Sequence, residues 1–150
     1  MTRWITLLLA SFIFTVNAAQ LSFVSNGITI KTLSNQDFSE LPQTEIATEL
    51  PWIEGVTTFS GVQVADIFNH MKTPIPESIT LVALNDYQIE VAIEDIKNYQ
   101  PIIANRKNGQ IMPVRDKGPF WLIFPLTDYP EINNTDYHAK MIWQLKEVRY

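Results

Sequence analysis

The stretch NGQIMPVRDKGPFWLIFP, residues 108–125, decides the fold. Asn108-Gly109 is a two-residue hairpin signal, because both residue types tolerate the positive φ that a type I′ turn needs. Phe120, Trp121, Leu122, Ile123 and Phe124 follow one another with no polar residue between them, bounded by Pro119 and Pro125. A short, aromatic-rich apolar run so bounded predicts a strand buried on both faces. Between turn and strand lies a charged Gly-Pro loop, residues 113–119. Loops held on a rigid scaffold are where binding residues collect.

Working outward, residues 101–105 predict the strand that feeds the Asn108-Gly109 turn. Residues 93–99 read as a helical turn. Before them, residues 79–84 and 87–91 form a hairpin with one wet face, joined at Asn85-Asp86. Residues 60–71 give the clearest helix: Val64, Ile67, Phe68 and Met71 fall at i, i+3, i+4 and i+7 and make one apolar stripe. Ser60 with Gln63 fits a capping box at its start. Residues 44–50 and 56–59 predict strands, with a loop carrying Trp52 between them. Residues 34–41 predict a helical turn stopped by Pro42, and residues 27–33 an edge or half-buried strand. Beyond Pro125, residues 127–137 read as a polar loop and residues 138–149 as a closing strand. The sum is a strand-rich α+β domain with one main helix.

A chain of 150 residues that is 46% hydrophobic and 18% charged can bury one substantial core, which suggests one domain. Its net charge of −5 argues against general nucleic-acid binding, which shows a basic patch or stripe. There is no cysteine, so disulfides, thiol nucleophiles and thiolate metal sites are excluded. Residues 1–18 have the pattern of a secretory signal: a basic start at Arg3, an apolar core, and small residues at the end. The apolar core is shorter than the ~20 residues of a spanning helix. The mature domain is therefore expected over residues 19–150, exported to a periplasm.

No catalytic constellation stands out, and no residue is assigned a catalytic or metal-ligating role. His70 and His138 are far apart in sequence and lack metal-ligand spacing, and both read as surface or capping residues. Glu94 and Asp95 are neighbours, and adjacent positions on a helix point apart. The central loop offers the parts of a ligand site. Arg115 and Lys117 can hold an anion or a carbonyl edge, Asp116 can accept from an amino-heterocycle, and Trp121 has a stacking face. Gly118 lets a ligand approach the backbone. The alternative reading makes the loop a solvated turn and Trp121 core. Trp52, Tyr87 and Tyr137 are further aromatic candidates for ligand contact, with the same alternative of simple core packing.

The order of segments adds a resemblance. Phe59-Ser60-Gly61-Val62, Ala65-Asp66-Ile67-Phe68, the Asn85-Asp86-Tyr87 turn, Asn108-Gly109-Gln110-Ile111-Met112, the Gly118-Pro119 segment and the ending Ile142-Trp143-Gln144-Leu145 together resemble the molybdopterin-binding domain of sulfite oxidase-type oxidoreductases, over about residues 55–149. The resemblance implies a mixed-sheet fold of that type. Enzymes of the family ligate molybdenum through a cysteine thiolate, which this chain lacks, and the arginine usual after the Gly-x-Pro step is replaced by Trp121 or shifted. Short, exported, cysteine-free members resemble periplasmic pterin-binding regulators of inner-membrane cyclic di-GMP sensors. That implies a pterin or molybdopterin-like ligand held without a metal, in a non-catalytic role. The other readings are a molybdopterin oxidoreductase or its subunit, and an interaction domain with a decayed pocket.

Overall fold

The computed structural model describes residues 19–150; the expected export signal, residues 1–18, lies outside the described residues. The elements run β1 (Gln20–Ser25), β2 (Ile28–Ser34), α1 (Asn35–Glu40), β3 (Thr44–Leu50), β4 (Ile53–Gln63), α2 (Val64–His70), β5 (Ser78–Ala83), β6 (Gln88–Ala92), α3 (Ile93–Tyr99), β7 (Ile102–Lys107), β8 (Gln110–Ile111), β9 (Trp121–Ile123), α4 (Thr135–Lys140) and β10 (Leu145–Arg149). Single 3₁₀ turns lie at Val114–Asp116 and Pro130–Ile132.

Two sheets result. The first has the order β2-β1-β10-β5-β6, and the second β3-β4-β7-β8, with β9 also on β7. All the pairs are antiparallel except β1 with β10, which run parallel with Phe23 opposite Val148. One hydrophobic core takes Phe23 and Leu81 from the first sheet and Phe59 and Ile103 from the second.

The run that the fold was read from behaves as its composition demands. Phe120 through Phe124 are all fully buried, each contributing about 1.5–3 kcal/mol by leaving water. Their strand, β9, pairs with the first half of β7, and β8 pairs with the second half. The hairpin between β7 and β8 turns at Asn108 (φ 49°) and Gly109 (φ 78°), the two left-handed positions of a type I′ turn. Residues 27–33 appear as the edge strand β2.

Four expectations are corrected. Ser60 does not cap a helix: it sits inside β4, which runs eleven residues to Gln63, and α2 starts at Val64 with no side-chain cap bond. Val64, Ile67 and Phe68 of the apolar stripe are buried on α2 and Met71 follows as its C-cap, but sheet pairing claims the residues before it. There is no single main helix: the described residues hold four α-helices of six or seven residues each. Residues 135–140 form α4, not polar loop and strand, because the Asn134 side chain accepts from Asp136 N–H (3.1 Å) and Tyr137 N–H (3.4 Å) and starts a helix there. Finally, β1 was not anticipated, although its Leu21 and Phe23 are fully buried.

Candidate functional site

Tight turns and short connections bring three separate chain segments around one cavity of about 350 Å³. Trp52 arrives from the β3–β4 turn, Asn85 and Tyr87 from the β5–β6 turn, His138 from α4, and Trp143 from the link between α4 and β10. Apolar side chains, Met141 and Ile142 among them, complete the lining.

The aromatic walls meet edge to face. Trp52 lies 5.3 Å from Trp143 at 82° and 5.8 Å from the His138 ring at 69°. Trp121 stands 6.1 Å from both Trp52 and Trp143. It is fully buried, and its indole N–H donates to the Met141 carbonyl at 2.9 Å. Edge-to-face contacts fix ring orientation, each adding about 0.5–1.5 kcal/mol beyond burial. The Lys117 ammonium sits 4.6 Å from the centre of the Trp143 ring, within cation–π range.

Few polar groups face this site, and they are held in place. The Asn85 side-chain oxygen accepts from Tyr87 N–H at 3.1 Å, which leaves its NH₂ group as a donor. His138 Nε2 is 2.8 Å from the Asn133 side-chain oxygen. In the tautomer that donates from Nε2 to this oxygen, Nδ1 of the ring is left as an acceptor. The Tyr87 hydroxyl reaches the Ala139 carbonyl at 3.5 Å, spanning from the β5–β6 turn to α4. An apolar concavity with a donor and an acceptor fixed in its walls suits a flat heteroaromatic ligand.

Behind α4 lies a polar cluster. Asp95, only 7% exposed, accepts from the Tyr137 hydroxyl at 2.7 Å and pairs with the Lys140 ammonium at 2.6 Å. Burial, and then the bond to Asp95, push the Tyr137 phenol far above its ordinary pKa. Lys140 also lies over the Tyr137 ring at 4.5 Å. Near the cavity, the hydrogen bond from Lys146 holds the exposed Asp86 carboxyl below its ordinary value.

The residues expected from sequence fall in three places. Trp52 and Tyr87 line the cavity. Lys117 and Trp121 stand next to its tryptophan wall as a second layer. Arg115 and Asp116 lie elsewhere, exposed in the 3₁₀ turn, with Asp116 paired to Lys107 at 2.5 Å. Gly118 is required by the chain itself: a Cβ there would lie 2.0 Å from the Met112 carbonyl oxygen. Tyr137 turns its hydroxyl to Asp95 rather than the cavity. Sequence reasoning missed Asn85, His138 and Trp143 as cavity residues. An Asn before a turn aromatic was the one available signal for Asn85, and His138 had none, since its helix was itself unexpected.

Among the described residues no group of three or more His, Cys, Asp or Glu side chains is placed to hold a metal ion. No protein-family model and no curated protein matches the sequence. Among solved structures, the sulfane dehydrogenase SoxCD from Paracoccus pantotrophus is similar, with a TM-score of 0.63 over 87% of this chain and 37% of that one, at 12% identity. At that identity the likeness establishes a shared fold: this chain has the α+β architecture of part of an oxidoreductase more than twice its length.

Proposed function

We propose that this chain is a non-catalytic binding module for a reduced pterin, acting in the periplasm as the regulatory partner of an inner-membrane cyclic di-GMP sensor. The observation that carries the ligand part is the cavity walled by Trp52, Trp143 and His138, with Asn85 and Tyr87 opposite. A pterin is a flat bicycle whose edge carries both donors and acceptors. The tryptophan faces supply stacking, the Asn85 NH₂ a donor for a ring carbonyl, and His138 Nδ1 an acceptor for the amino group. The regulatory role and the compartment rest on the export signal and the family resemblance in the sequence.

The molybdenum centre associated with the resembled family requires a thiolate. The cavity offers rings, an amide and an imidazole, and the chain has no cysteine. These groups fit the pterin ring and do not fit a soft, thiolate-held metal. A redox role is the second reading, favoured by the fold shared with a dehydrogenase.

The test uses the tryptophans themselves. Titration with 6,7-dimethyltetrahydropterin should quench tryptophan emission saturably, and Trp143→Ala should weaken the apparent affinity about tenfold, within the roughly fivefold to hundredfold range that a stacking energy of about 1–3 kcal/mol per ring spans. Emission that falls only in proportion to added absorbance, with no saturation, removes the pterin reading.

A further inference from the structure

The two walls of the cavity come from segments about fifty residues apart, and something must set their separation. One wall, Asn85 and Tyr87, is the β5–β6 turn; the other, His138 and Ala139, is carried by α4. Helix α4 has six residues, too few to hold itself by its own backbone bonds. It is anchored instead by what its side chains reach. Tyr137 and Lys140 both turn to Asp95, at 2.7 and 2.6 Å, and the Tyr137 ring lies edge-on to Phe124 at 5.3 Å and to Tyr99 at 5.6 Å.

Asp95 stands on α3, which follows β6 without a break, and β6 begins where the Asn85–Tyr87 turn ends. One carboxylate therefore joins the strand-and-turn wall to the helix wall from behind, in addition to the long direct bond from the Tyr87 hydroxyl to the Ala139 carbonyl at 3.5 Å. Its oxygens are divided between two donors three residues apart on α4, a geometry that fixes both the position of the helix and its rotation. Rotation matters, because His138 and Ala139 lie between those two donors in sequence. A charge so well buried is retained at a cost in desolvation, which an apolar pair would avoid.

We propose that Asp95 is the positioning residue of the cavity: by taking the Tyr137 hydroxyl on one oxygen and the Lys140 ammonium on the other, it locks α4 so that His138 faces the ligand opposite Asn85 and Tyr87. The proposal deepens the pterin-site reading and rests on it for the ligand, though not for the geometry. Asp95 itself touches no ligand.

Two substitutions test it. Asp95→Asn keeps an oxygen for Tyr137 and loses the partner charge of Lys140. Tyr137→Phe removes one bond, keeps the ring contacts, and serves if Asp95→Asn does not fold. Three quantities are read: the thermal midpoint, the His138 ring and Ala139 amide NMR signals, and the affinity for 6,7-dimethyltetrahydropterin. The proposal requires the His138 and Ala139 signals to move while those of β3 stay, and the affinity to fall about tenfold, as when a supporting contact lets a site loosen by around an ångström. A lowered midpoint with unmoved signals and unchanged affinity makes Asp95 a purely structural residue and overturns the proposal. Moved signals with unchanged affinity overturn it as well. If the wild type binds no pterin, moved signals still establish the clamp, and it is the pterin reading that fails.

Discussion

Gly61 carries no side chain because none fits: a Cβ there would lie 2.0 Å from the Ile103 carbonyl oxygen and 2.6 Å from Ala104 Cα, both of them backbone atoms of β7. The sequence hinted only that Gly61 lay near a helix start, whereas its role is to let two strands approach. Gly61→Ala should lower stability by about 1–3 kcal/mol or more, the usual cost of overpacking, seen as a lower urea midpoint with an unchanged slope. At the same scale, residue type alone made the Asn108-Gly109 turn legible, since few residues accept positive φ. The cavity was legible only in fragments. Trp52 and Tyr87 could be named as aromatics in polar surroundings, but nothing local distinguishes a tryptophan that walls a cavity from one that fills a core. Trp121 illustrates this: it is fully buried, and its neighbour in space Trp143 borders open volume.

Local chemistry specifies some elements and strand partners specify others, and neither kind is fully legible in the sequence: α4 is missed there despite its Asn134 cap. Helix α1 belongs to the first kind. Ser34 and Asp37 form a reciprocal capping box, with the Asp37 amide donating to Ser34 Oγ at 3.1 Å and Ser34 N–H donating to Asp37 Oδ2 at 3.1 Å. The hydrogen bond from the Ser34 hydroxyl is the main cause holding the Asp37 carboxyl below its ordinary value. A lowered folded pKa gives stability that is present above the unfolded value and lost as pH falls, so the cap should weaken below about pH 4. Helix α4 has the opposite dependence. Its Tyr137 phenol is raised by burial and by Asp95, so its contribution is complete below the unfolded value, about pH 10, and is lost as pH rises above it. Denaturation at pH 7 and pH 11 should show a larger alkaline loss for the wild type than for Tyr137→Phe. Equal losses would remove the phenol from the account. Strand β4 is of the second kind: Ser60 and Gly61 look helical at their start, but pairing with β3 and β7 on both sides outweighs that preference.

For the molecule as a whole, the sheet-rich α+β class was readable because strand runs with turn signals outnumber helical periods. The pairing order was not, since β1 beside β10 joins the two ends of the described chain and no local signal encodes so distant a partner. The fold is shared with an oxidoreductase, and a shared fold does not by itself carry over the chemistry. Protein purified from a host able to make molybdenum cofactor should carry no stoichiometric molybdenum by elemental analysis; a one-to-one content would support the redox reading instead.

The central claim is that the tryptophan-walled cavity, and not the exposed Arg115–Asp116 turn, receives a flat heteroaromatic ligand. Calorimetric titration of 6,7-dimethyltetrahydropterin into the wild type, Trp52→Ala and Arg115→Ala tests it most directly. The account predicts one site per chain in the wild type, affinity weakened about tenfold by Trp52→Ala through lost stacking, and affinity unchanged by Arg115→Ala. Binding that is lost with Arg115→Ala and kept with Trp52→Ala, or no binding by the wild type, would contradict it.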